Sequence, residues 1–145
     1  MAWNRSGFDS PWVHMSPSLE DILIVREPIT IAALEPTAML WYGTMIKGVA
    51  DLERKIIALG GDWHMDANTR LIEDGSDQKN LWGFNLYLDE RGSDAIEYQS
   101  LINIRPRQKN RSMMIEDKKI REKVENIVRK RLDNEKPRSN KNKIF

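Results

Sequence analysis

Leu81-Trp-Gly-Phe-Asn-Leu-Tyr-Leu88 is the stretch that decides how this chain folds. Trp82, Phe84, Leu86 and Leu88 alternate with Gly83, Asn85 and Tyr87. That two-residue period is the mark of a strand with one face in a core. Residues 95–105 mostly alternate as well. Ile96, Tyr98, Ile102 and Ile104 fall on one side, Glu97, Gln99, Asn103 and Arg105 on the other, and Leu101 breaks the pattern. The turn-like stretch 89–94 joins the two runs into a hairpin. Placing Trp82 opposite Ile102 puts Phe84 by Ser100, Leu86 by Tyr98 and Leu88 by Ile96. A one-residue slip would set Phe84 against Gln99 and Leu86 against Glu97, burying polar groups. The favoured register gathers Asn85, Tyr87, Gln99, Asn103 and Arg105 on the opposite face.

Working outward, Asp21-Ile-Leu-Ile-Val-Arg26 is a short apolar run and reads as a central strand. Thr30 reads as the N-cap of a helix over 31–42 that ends at Gly43. Pro36 interrupts it, so the helix either kinks there or starts near Pro36. Residues 45–52 and 55–59 read as strands joined at Glu53-Arg54, with Gly60-Gly61 ending the second. Asp66 reads as the cap of a short helix through Ile72, closed by Gly75. Ile120, Val124, Ile127, Val128 and Leu132 recur at helical spacing behind Asp117, a good N-cap, and predict a helix over 118–132. The order β-α-β-β-α-β-β-α predicts an α+β domain: a mixed, mainly antiparallel five-stranded sheet with about three helices packed on it. The expected boundaries are a loose N-terminal extension at 1–19, one domain at 20–132 and a basic disordered tail at 133–145.

The 145 residues are 40% hydrophobic and 31% charged, enough for one domain with a real core. With no cysteine, there is no disulfide, thiolate zinc site or cysteine nucleophile. No apolar run approaches the roughly 20 residues of a membrane span, and no secretory signal opens the chain, so a cytoplasmic protein is the simplest expectation. Charge is split unevenly. Residues 1–104 carry 8 Lys/Arg against 16 Asp/Glu, a balance of −8, and residues 105–145 carry 15 against 6, a balance of +9. Such a chain either folds its two ends together or offers one to a partner.

Three polar stretches could carry chemistry: 60–66, 73–87 and 103–112. In the favoured register the last two meet at the open end of the hairpin. Arg105, Arg107, Lys109 and Arg111 put four cations in seven residues, and guanidinium forks match phosphate and carboxylate oxygens. A site for an anionic group would use Arg105 and Arg111 for charge, Asn103 and Asn110 to orient the ligand, Ser76 as a further polar contact and Trp82 as a wall. The competing reading fills those forks from within, with Glu73, Asp74 and Asp77. His64, Asp66 and Glu73 are candidates for acid–base work, and His64, Asp66 and Asp74 for a divalent cation, although one histidine with scattered carboxylates is no zinc spacing. Nucleic acid suits a basic end, but residues 105–132 contain no aromatic to stack on. There is no phosphate-cradling glycine loop, nucleophile elbow or twin-histidine helix.

Several runs carry a family likeness: Arg26-Glu-Pro-Ile-Thr30, Gly60-Gly61 with His64 and Asp66, Glu73-Asp-Gly-Ser76, Leu81-Trp-Gly-Phe-Asn-Leu-Tyr87, Ile102-Asn-Ile-Arg-Pro106 and Asn110-Arg-Ser112. Together they resemble a small prokaryotic domain-of-unknown-function family of about one hundred residues, over residues 20–132. The resemblance implies a compact α+β domain, with the three polar stretches in one site, and brings no activity. Three functions are then open. The first is a binding domain with a polar pocket for a phosphate or carboxylate. The second is a metal-assisted phosphoester hydrolase built on His64 and its carboxylates. The third is a protein-interaction module that uses the charge asymmetry.

Overall fold

The structure, a computed structural model, describes residues 17–133; the expectations for 1–16 and 134–145 lie outside the described residues. It is an α+β fold. Strands β1 (Leu23–Val25), β3 (Met45–Asp51), β4 (Ile56–Leu59), β5 (Leu81–Tyr87) and β6 (Ile96–Glu97) form one antiparallel sheet in the order β1-β4-β3-β5-β6. A second, two-stranded parallel sheet joins β2 (Ile29–Thr30) to β7 (Leu132–Asp133). The helices are α1 (Ile31–Trp41), α2 (His64–Glu73) and α3 (Lys118–Arg131).

The sheet is covered on both faces. Leu34 and Ala38 of α1 and Val124, Ile127 and Val128 of α3 pack with Ile46, Ala50, Ile57, Trp82, Phe84 and Leu86. Ala67 and Leu71 of α2 pack on the other face with Val49, Ala58 and Leu81. Alternation along β3, β4 and β5 feeds both clusters, which explains why these strands carry few exposed positions. Gly48 allows Phe84 to cross β3: a Cβ there would lie 2.4 Å from the ring.

Helix starts follow the capping residues. Thr30 Oγ1 accepts from the Ala33 N–H at 3.2 Å, and Asp117 Oδ1 accepts from the Lys119 N–H at 2.8 Å. α1 begins at Ile31 and runs through Pro36. The proline deprives Ala32 of its hydrogen-bond donor, but both residues are exposed, so water can take that carbonyl. α2 begins at His64, two residues before the expected cap. Asp66 acts from inside the first turn, its carboxylate accepting from the N–H groups of Asp62 at 3.1 Å and Trp63 at 3.0 Å. The strand expected to be central, β1, is an edge strand paired only with β4. An apolar run buried on both faces looks the same at an edge when helices cover both faces.

The hairpin forms, but its second arm is short and its register differs. Asn85 pairs with Glu97 and Leu86 with Ile96, two residues from the register placing Leu86 opposite Tyr98. A two-residue shift keeps every side chain on its expected face. After Glu97 the chain turns away and pairs with residues 113–115: Ser100 N–H donates to the Met113 carbonyl and Ile115 N–H to the Tyr98 carbonyl. Ile115, which belongs to no expected element, is fully buried in the larger core cluster. Where the strand is missing, the carboxamide of Asn103 takes its place. Its Oδ1 accepts from the Gly83 N–H at 2.8 Å and its Nδ2 donates to the Gly83 carbonyl at 3.1 Å, the pair of bonds a neighbouring strand would make.

Candidate functional site

A cavity of about 480 Å³ opens between the start of α2 and the β5–β6 edge. Its floor is a row across three strands: Lys47 lies opposite Asn85, and Asn85 opposite Glu97. Strand spacing sets the ends of this row roughly 10 Å apart at the backbone. Glu97 Oε1 accepts from Asn85 Nδ2 at 2.8 Å and from the Tyr87 hydroxyl at 2.9 Å, so two neutral donors orient the carboxylate. Burial and the bond to Glu97 push the Tyr87 hydroxyl up, which keeps it a donor at neutral pH.

The Gly60-Gly61 turn, with φ of +127° and +104°, and the Asp66 cap set the first turn of α2 over this floor. His64 lies in that turn, 8% exposed, with Nε2 2.9 Å from the Phe84 carbonyl. A carbonyl only accepts, so Nε2 carries the proton. Burial first, then the charge of Lys47, lowers the imidazole to about 4, against the pull of the Phe84 carbonyl, Asn85 and Glu97. His64 is therefore neutral at neutral pH, with its N–H spent inside the protein. The rim is apolar and open: Trp63 is 66% exposed, Met65 52% and Leu101 63%.

The two polar bends do meet: Arg105 Nη1 donates to the Gln78 carbonyl at 3.0 Å and Gln108 Nε2 to the Lys79 carbonyl at 3.1 Å. Arg105 also donates to the Leu81 carbonyl and the Gln108 side chain, and it stacks on Trp82 at 4.0 Å from the ring centroid. Two backbone carbonyls and the Gln108 carboxamide, rather than carboxylates, take its Nη groups, and its Nε is buried without a partner. Burial lowers the guanidinium to about 10, so it stays charged. Trp82 is buried in the core. Asn103 is committed to Gly83 and to the Met113 carbonyl. Asn110 is buried and donates to the carbonyls of Asn103, Ser112 and Met114 while accepting from the Glu116 N–H. Arg111 is exposed.

Ser76 and Asp74 belong to another cluster. Arg54 donates to Ser76 Oγ at 2.7 Å, and Arg26 and Arg54 each reach Asp74 at 2.6 Å. Those guanidinium groups hold the Asp74 carboxyl below its ordinary value. Glu73 is exposed at the far end of α2 from His64, a rise of about 13 Å along the helix. Among the described residues, no group of three or more His, Asp or Glu side chains is placed to hold a metal ion. His64 shares its cavity instead with Lys47, Asn85, Glu97 and Gln99, none of them among the site residues expected from the sequence. Their signal was the polar face of the hairpin, where Asn85 and Gln99 alternate with the core.

A family model described as "Protein of unknown function (DUF5674)" matches residues 23–131. The chain belongs to this family. No curated protein and no solved structure matches the chain. In this DUF5674 chain the matched stretch contains the whole lining of the cavity, from Lys47 to Met113. Among the described residues, no helix is long and apolar enough to cross a membrane.

Proposed function

We propose that the chain is a binding domain for a small organic ligand carrying an anionic group, held in the cavity between α2 and the β5–β6 edge. The observation that carries this reading is the Lys47–Asn85–Glu97 row beneath His64, at the bottom of an apolar-rimmed cavity. A few placed polar groups in a mostly apolar cleft are what fixes the orientation of a small molecule. Among the described residues Lys47 is the one ammonium lining the cavity, so a ligand carboxylate or phosphate would turn toward it. Arg105 does not line the cavity, its Nη groups are already engaged by the Gln78 and Leu81 carbonyls, and its Nε is buried out of reach of solvent. An anionic group would therefore be held at the sheet rather than by the 105–111 loop.

Amide NMR of the labelled full chain, titrated with small carboxylates, phosphates and nucleotides, tests this. At least one class should shift residues 47, 64, 85 and 97–102, and Lys47→Met should weaken that response about tenfold. Shifts confined to residues 105–111 would relocate the site to that loop. A panel that leaves the cavity unperturbed would refute the reading.

A further inference from the structure

The chemistry left over on the cavity floor is one-sided. The His64 N–H is spent on the Phe84 carbonyl, and Asn85 Nδ2 and the Tyr87 hydroxyl are both spent on Glu97 Oε1. The acceptors are not spent. Asn85 Oδ1 is buried with no hydrogen-bond partner, and the residue is only 8% exposed. Neutral His64 keeps a lone pair on Nδ1. Glu97 makes no ion pair among the described residues, although Lys47 lines the same cavity. A carboxylate oriented by two neutral donors, in an apolar-rimmed cavity and without a counter-ion among the described residues, is arranged for a cation that arrives from outside. Lys47, two strands away, supplies the opposite sign.

We propose that the ligand is a small zwitterion of the amino-acid class. Its ammonium group is held at the Glu97–Asn85 end of the row, its carboxylate at Lys47, and its apolar side chain against Trp63, Met65 and Leu101. This rests on the binding reading above and adds the second charged end. Lys47 and Glu97 do not pair with each other, and Lys47 Nζ instead lies 5.2 Å from the centroid of the exposed Tyr42 ring.

The test compares three probes of one carbon skeleton by amide NMR of the full chain: leucine, 4-methylpentanoate, which lacks the amine, and 3-methylbutylamine, which lacks the carboxylate. Leucine should shift residues 47, 85 and 97, with each truncated probe at least about tenfold weaker. Glu97→Gln should weaken leucine about tenfold and should not weaken 4-methylpentanoate, whose carboxylate then meets one negative charge fewer, with the variant's fold checked by its own amide spectrum. Equal binding of leucine and 4-methylpentanoate would overturn the zwitterion while the binding reading stands. The same holds if phosphates or nucleotides shift the cavity and leucine does not. Silence from every probe and from the wider panel would overturn both.

Discussion

Replacing Asn103 by alanine should destabilise the fold without touching the cavity floor. Asn103 is fully buried, and its carboxamide makes three bonds: two to Gly83, at 2.8 and 3.1 Å, and one to the Met113 carbonyl at 3.1 Å. Alanine leaves the Gly83 N–H and two carbonyls without those partners. At roughly 0.5–1.5 kcal/mol per bond, with more for a buried orphan donor, the loss comes to about 3 kcal/mol. Asn103→Asp separates the roles. The aspartate can still accept from the Gly83 N–H, but it turns a lone pair toward two carbonyls. It should be at least as destabilising as alanine at neutral pH, and it should recover as the pH falls and a proton restores one donor. Urea unfolding of the full chain, read at a constant m-value, measures both. A shift below about 0.5 kcal/mol for Asn103→Ala would mean that the carboxamide does not stand in for a strand.

Other perturbations separate structural groups from free ones. Arg105→Ala should cost about 2–3 kcal/mol in the same urea assay, through lost carbonyl bonds and the Trp82 stack, whereas Arg111→Ala should stay within about 0.5 kcal/mol. Gly48→Ala should cost about 1–3 kcal/mol, because its Cβ would sit 2.4 Å from the buried Phe84 ring; an unchanged urea midpoint would refute that packing. His64 titrates near 4 when folded and near 6.5 when not. Between these values the unfolded chain binds the proton more readily, so stability should fall by about 3 kcal/mol as the pH drops from 6.5 to 4. His64→Gln keeps a donor for the Phe84 carbonyl and should flatten that slope in urea midpoints taken across the range.

Much of the fold could be read from sequence because its signals are local. Thr30 and Asp117 cap where expected, Gly60-Gly61 ends β4, and the stripe of Val124, Ile127 and Val128 faces the sheet. What could not be read depends on contacts between distant residues. Period-two alternation over 95–105 says which way side chains point, not which strand they pair with, and residues 98–100 pair with 113–115. The same limit applies to the site. Four cations in seven residues advertise an anion site, yet the chemistry of Arg105 is settled by the carbonyls of Gln78 and Leu81, over twenty positions away. Asp74 likewise finds Arg26 and Arg54 rather than the nearer-seeming basic loop.

The cavity and the broken hairpin have one origin. Had β6 continued in the observed register, Gln99 would lie opposite Gly83, and the β5 edge would be closed by backbone alone. Instead the chain lifts away after Glu97. Ser100 passes so close to Gly83 that a Cβ there would lie 2.5 Å from the serine Cβ, and Asn103 returns to satisfy the exposed peptide. The detour leaves Asn85 and Glu97 at the edge of a sheet whose neighbouring strand has ended, under a helix whose first turn brings His64 down onto Phe84. An open sheet edge is normally a liability that a fold covers or charges. Here Asn103 closes the backbone while the polar side chains stay open to the cavity. A substitution that restored β6 would thus be expected to remove the cavity with it.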